Sequence, residues 1–96
     1  MHYKWMPLHQ VEKFVPLARA LGVSTVARSQ RGFLTQYRKA GGNASRLSAY
    51  WRNRRDNFVA RHMAQVKHRD EPLFESDGQP TRRHLALIMW AYSPYL

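Results

Sequence analysis

The sequence predicts an all-α protein: one domain over residues 1–96, built as a small bundle of four or five helices with a minor hairpin near residues 73–80. Three observations predict it. Apolar residues recur at three- and four-residue spacing in segments beginning near Pro7, Ser24, Arg46 and Thr81. These segments are separated by stretches that carry turn residues: Gly22, "GGNAS" and "DEPLFESDGQPT". Finally, 96 residues with 44% hydrophobic content are enough for one shared core and too few for two.

Taken in order, Pro7 suits the first turn of a helix that carries Leu8, Val11, Phe14 and Val15 on one face. Pro16 lacks an amide proton and is expected to kink or break this helix, so that "PLARAL" forms a further turn or two ending at Gly22. The next segment, "VSTVARSQRGFLTQYRKAGG", has Ser24 placed as an N-cap, Val26, Phe33, Leu34 and Tyr37 as its apolar side and Gly41-Gly42 as its end; Gly32 argues against one unbroken helix.

A third helix is expected from about residue 46 to about residue 67, capped by Ser45 or Ser48. At 100° per residue, Leu47, Trp51, Phe58, His62 and Val66 form its core stripe, with His62 a hydrogen-bonded core residue. The last helix is expected to open at Pro80 or Thr81, run through "TRRHLALIMWAY" and stop at Ser93-Pro94. Its apolar residues at 85 and 87–90 leave no polar face, which places it at the centre of the bundle.

Charge is the extreme property. Twelve Arg and four Lys against six acids give +10, and fourteen of the sixteen cations precede residue 70. Six acids cannot neutralise sixteen cations, so at least ten are left without an internal partner. A surplus of this size, rich in guanidinium forks that match phosphate oxygens, points to non-catalytic binding of nucleic acid, DNA ahead of RNA. The candidate phosphate contacts are Arg28, Arg31, Arg38, Lys39, Arg46, Arg52, Arg55 and Arg61, which cluster around "RKAGGNAS", where Gly-Gly backbone amides add anion donors. The stretch "SAYWRNRRDNFVARH" poses the central question: Arg54 and Arg55 stand on the two shoulders of the apolar stripe, where they either pair with acids such as Asp56 and the 70–77 loop or reach for a partner.

Residues 17–29, "LARALGVSTVARS", resemble in part a helix-turn-helix, with "LGVS" at the turn, although Arg28 stands where that motif usually has an apolar anchor. The resemblance implies that Ser24, Thr25, Arg28 and Arg31 would face DNA.

Several chemistries are excluded or weak. Without cysteine there is no disulfide, thiolate zinc site or cysteine nucleophile. The five histidines show no ligand spacing, so no metal is expected, and no phosphate-loop or dinucleotide fingerprint implies a cofactor. The N-terminus lacks an apolar signal region, and the longest apolar run, residues 85–92, falls well short of the roughly 20 residues that span a bilayer. A cytoplasmic or nucleoid-associated protein, or a virion component, is the expectation.

Three alternatives compete: a module or inhibitor that docks on an acidic protein, a structural subunit of a ribosome or virion, and a metal-dependent hydrolase using Asp70, Glu71 and His68. Trp5, Tyr92 and Tyr95 near the termini either pack together or mark a dimer contact.

Overall fold

Four α-helices and one 3₁₀ turn build the protein: α1 (Leu8–Ala20), α2 (Phe33–Lys39), the 3₁₀ turn (Ala44–Arg46), α3 (Ala49–Arg69) and α4 (Arg82–Ile88). The structure is a computed structural model and describes residues 3–96, so His2 lies outside the described residues. The all-α bundle expected from the sequence is the architecture observed.

The first helix runs through Pro16 without interruption. Pro16 sits on the exposed side, while Val11, Val15 and Ala18 face the core. The expected break is therefore absent. Gly22, at φ +66°, ends the helix as expected, and the Val23 amide donates back to the Ala18 carbonyl at 2.9 Å.

Residues 21–32 depart most from expectation. They form a series of turns instead of a helix, and Ser24 adopts φ +55°, a left-handed conformation that no N-cap uses. The segment closes on itself: Arg28 Nε donates to the Val23 carbonyl at 2.9 Å, and the Leu34 amide donates to Ala27 O at 2.9 Å. Gly32 lies against the Val26 and Ala27 carbonyls so closely that a methyl group there would collide with both. Only from Phe33 onward does the chain become helical. No helix begins within residues 21–32, where a recognition helix would lie, so the partial helix-turn-helix resemblance does not extend to the fold, and Thr25, Arg28 and Arg31 occupy turns.

The long helix α3 is capped by Ser48, whose Oγ accepts the Trp51 amide; Ser45 belongs to the preceding 3₁₀ turn, capped by Asn43. Its stripe is rotated from the expected one. Leu47 is buried but precedes the helix, Trp51, Phe58, His62 and Val66 are half-buried, and the fully buried positions are Arg55 and Val59.

α4 opens at Thr81, whose Oγ1 accepts the His84 amide. It ends at Ile88, four residues early, because Ala91 turns the chain at φ +58°. Its central position is as expected: Leu85, Leu87 and Ile88, with the following Met89, have no exposure, and α4 contacts both α1 and α3. Around it a ladder of nearly parallel rings runs Phe58–Trp90–Phe33–Tyr37, with centroid spacings of 4.7, 5.0 and 5.6 Å, and His62 extends it on the far side of Phe58 at 4.0 Å. The hairpin near 73–80 reduces to a single antiparallel bridge between Phe74 and Pro80 around the Asp77-Gly78 turn.

The terminal aromatics do not form one cluster: Trp5 packs on Phe33 and Tyr37 at the core, Tyr92 is buried and meets Tyr3 edge-on, and Tyr95 is exposed, lying against Phe74.

A buried polar node fixes the C-terminus. His84 has no exposure; its Nδ1 lies 2.7 Å from the Leu73 carbonyl and its Nε2 2.7 Å from Ser93 Oγ. Ser93 Oγ also accepts the Tyr95 and Leu96 amides, so its own proton goes to Nε2, and His84 is the neutral tautomer protonated at Nδ1. Ser93→Ala leaves Nε2 and two amides without partners and is expected to cost about 1–2 kcal/mol in urea unfolding.

Burial lowers the His84 pKa below its ordinary value of 6.5, with the Leu73 carbonyl pulling weakly the other way. His62 shifts in the same direction, through burial and then the nearby Arg83 and Arg61. For both groups the folded state binds fewer protons than the unfolded chain, so this stability is complete above about pH 6.5 and is lost as pH falls through the folded-state pKa. The melting temperature is therefore expected to drop between pH 7 and pH 5, and to drop less in His62→Gln. A flat profile over that window would contradict the neutral-histidine assignment.

Candidate nucleic-acid interface

The arginines of α3 divide between the core and the surface. Arg55 has no exposure, and all five of its N–H donors are used. Nε donates to Trp90 O at 3.0 Å; Nη1 donates to Tyr3 O at 3.0 Å and to Asp56 Oδ1 at 2.8 Å; Nη2 donates to Lys4 O and, at 2.8 Å, to Ala91 O. Its guanidinium also lies 4.0 Å over the Trp5 ring. Burial lowers the Arg55 pKa from its usual value, and the hydrogen bond and charge of Asp56 oppose that shift. Arg55 is thus corrected from a candidate phosphate contact to the residue that ties both chain ends to α3.

The other arginines of α3 face outward. With 100° per residue, Tyr50, Asn53, Arg54, Asn57 and Arg61 fall within about 100° of one another, and all five are exposed. The one acid of α3, Asp56, is half-buried and bonded to Arg55, so this outer face carries no carboxylate. Arg54 Nη1 donates to Tyr50 Oη at 2.9 Å and its guanidinium lies 5.3 Å over the Trp51 ring, which holds the fork in place. Ala60 and Ala64, also exposed, leave the rest of the face open to close approach.

Trp51 joins this face to a second basic cleft of about 390 Å³, lined by Gln36, Lys39, Arg46 and Ser48. Lys39 and Arg46 were expected to act together, and they share this cleft. The remaining candidates scatter. Arg38 is engaged by Glu12 at 2.7 Å, Arg28 is half-buried with its Nε bonded to Val23, and Arg52 lies nine residues, hence half a turn, from Arg61 and so on the opposite side of α3. Arg31 is exposed on the 21–32 segment. The sequence did not group Tyr50, Asn53, Arg54 and Asn57 with Arg61 as a surface, because on a wheel centred on Leu47, Trp51 and Phe58 this arc begins on the shoulder of the stripe, and it lies opposite the core only once Arg55 and Val59 are the buried positions.

Ion pairing leaves most of the charge free. Among the described residues only Arg38, Arg55, Arg69 and Arg83 of the sixteen cations lie within 4.0 Å of a carboxylate. The acidic loop is not a neutralising counterface: of its four acids, Glu71 alone is paired, held by Arg83 and Arg69, whose bonds and charges keep its carboxyl below the usual range. Arg83 also donates to His62 Nδ1 at 2.6 Å, which satisfies that half-buried ring as expected. Asp77 closes the 75–79 turn, and Asp70 is the left-handed C-cap of α3. No three metal-ligating side chains come together among the described residues, and none of their helices is long and apolar enough to cross a membrane.

No protein-family model, no curated protein and no solved structure matches the chain, so the geometry of the basic face is what bears on its function.

Proposed function

We propose that the protein is a non-catalytic nucleic-acid-binding protein that lays the outer face of α3 against duplex DNA, as a nucleoid-associated or virion component would. One observation carries this reading: the solvent side of a 21-residue helix presents Arg54 and Arg61 with Asn53, Asn57 and Tyr50 and no acid. A helix of that length spans about 31 Å and fits the major groove of B-form DNA, whereas the deep, narrow major groove of A-form RNA does not admit one. Asparagine pairs bidentately with adenine edges, and arginine forks pair with guanine edges or with phosphate oxygens. Lys39 and Arg46, next along the surface past Trp51, supply backbone contacts.

The test is fluorescence anisotropy on a labelled duplex of about 20 base pairs from about 50 to 200 mM salt, with polyglutamate as competitor. Affinity is expected to fall by about 10³-fold across that range, if roughly six phosphates are engaged. Lys39→Gln combined with Arg46→Gln should flatten the log–log slope by about 1.8, at roughly 0.9 per phosphate contact. Absence of binding at 50 mM salt, or equal displacement by polyglutamate, would remove the reading in favour of an acidic protein partner.

A further inference from the structure

A third feature of the basic surface is a cleft of about 330 Å³ between the 24–27 turn and α3. Its walls include Ser24, Thr25, Arg54 and Arg61, and its floor is made by Phe58 and Trp90. Each part of this lining bears on what it accepts. Phe58 is sandwiched between His62 at 4.0 Å and Trp90 at 4.7 Å, and Trp90 between Phe58 and Phe33 at 5.0 Å. Both rings thus have neighbours stacked on their π-faces and are left to meet the cleft with their edges. Ring edges carry the positive end of the aromatic quadrupole, so the floor favours an anion and offers no platform for a stacked base.

The walls agree. Arg54 and Arg61 have no carboxylate within 4.0 Å among the described residues, and the Ser24 and Thr25 hydroxyls have no protein hydrogen-bond partner among them. Arg54 is held in place by the Tyr50 hydroxyl. A preplaced guanidinium loses little side-chain freedom on binding, which raises affinity for a ligand that fits it.

We infer that this cleft is a phosphate-binding site, taking a tetrahedral oxyanion between the Arg54 and Arg61 forks and the Ser24 and Thr25 hydroxyls. Guanidinium forks pair with phosphate oxygens through charge-assisted bonds, and the two hydroxyls supply the remaining donors. In naming a DNA backbone phosphate as the source the inference rests on the proposed function; the chemistry is shared by a free phosphate group, and the geometry holds for either.

The test is a two-dimensional NMR titration of the whole chain with inorganic phosphate, following the amides of residues 24–27 and the Arg54 and Arg61 Nε–H signals, then addition of a 20-base-pair duplex. Saturable shifts confined to these signals are expected, with affinity lowered at least tenfold by Arg54→Gln combined with Arg61→Gln. Ser24→Gly is a second probe: glycine adopts φ +55° without strain, so the fold is retained while a hydroxyl donor is lost, and phosphate affinity should fall by about threefold to tenfold. Displacement of phosphate by duplex identifies the backbone as the source. Saturable binding without displacement by duplex, or with no duplex binding at all, supports the site and identifies a free phosphate group. If phosphate moves exposed arginines everywhere alike, or the double variant binds phosphate as the unsubstituted protein does, the cleft is not a phosphate site, while the proposed function would still stand on the duplex titration.

Discussion

Replacing Arg55 with alanine is expected to lower the unfolding free energy by about 5 kcal/mol, against a total of roughly 5–14 kcal/mol for a domain of this length. The magnitude follows from what the guanidinium holds. It joins the carbonyls of Tyr3 and Lys4 in the N-terminal segment to those of Trp90 and Ala91 after α4, and both pairs to α3. Removing it orphans the carbonyls of Tyr3, Lys4 and Trp90, takes one of the two donors from Ala91 O and leaves a void between Trp5 and Tyr92, whose rings flank the guanidinium at 4.0 and 5.7 Å. Arg55→Lys restores the charge and not the geometry: an ammonium has three donors, cannot span acceptors arranged around a planar fork, and should still cost about 3 kcal/mol. Arg54→Ala, one residue along and exposed, is the control and should change stability by no more than about 0.5 kcal/mol. Urea unfolding followed by tryptophan fluorescence measures all three. Equal stability of the Arg55 and Arg54 variants would show that the chain ends are held by packing alone. Hydrogen exchange adds a local readout, because the Met6 amide, bonded to Ala91 O at 2.9 Å, should lose protection first.

Arg55 also marks where reading the sequence stops. Its acceptors come from residues 3, 4, 90 and 91, so no local pattern reveals them. A helical wheel centred on Leu47, Trp51 and Phe58 puts Arg55 on a shoulder; one centred on Val59 puts it inside the buried face, and only the packing of α4 decides between them. What was legible is short-range. The Ser48 and Thr81 caps are side-chain oxygens bonded to amides three residues on, and the all-apolar run after Arg83 required a central helix. Pro16 does not break α1: it faces water, which can solvate the carbonyl that the missing amide proton leaves without a donor. The candidate surface was half legible: Lys39 and Arg46 flank one loop and share a cleft, whereas Arg54 and Arg61 meet Ser24 and Thr25 only because residues 21–32 fold back as turns.

Those turns depend on one glycine, and Gly32→Ala is expected to cost about 3 kcal/mol, lowering the melting temperature by about 12–24 °C. Gly32 has an ordinary φ of −85°, so the penalty is one of space and not of backbone conformation. The added methyl would lie 2.5 Å from the Ala27 carbonyl oxygen and closer still to that of Val26, both backbone atoms that cannot swing aside as a side chain can. Gly41→Ala separates the two causes. At φ +65° it has open space around a new methyl group, so its cost is the left-handed conformation alone, about 1 kcal/mol. Thermal unfolding followed by circular dichroism should therefore rank Gly32→Ala well below Gly41→Ala, and the reverse order would mean that the 21–32 segment relaxes freely. Relaxation has a consequence of its own, since Val26 and Ala27 also line the phosphate cleft. A Gly32→Ala protein that stays folded must have moved the wall carrying Ser24 and Thr25, and its phosphate affinity should fall even though no residue that contacts the anion has been changed.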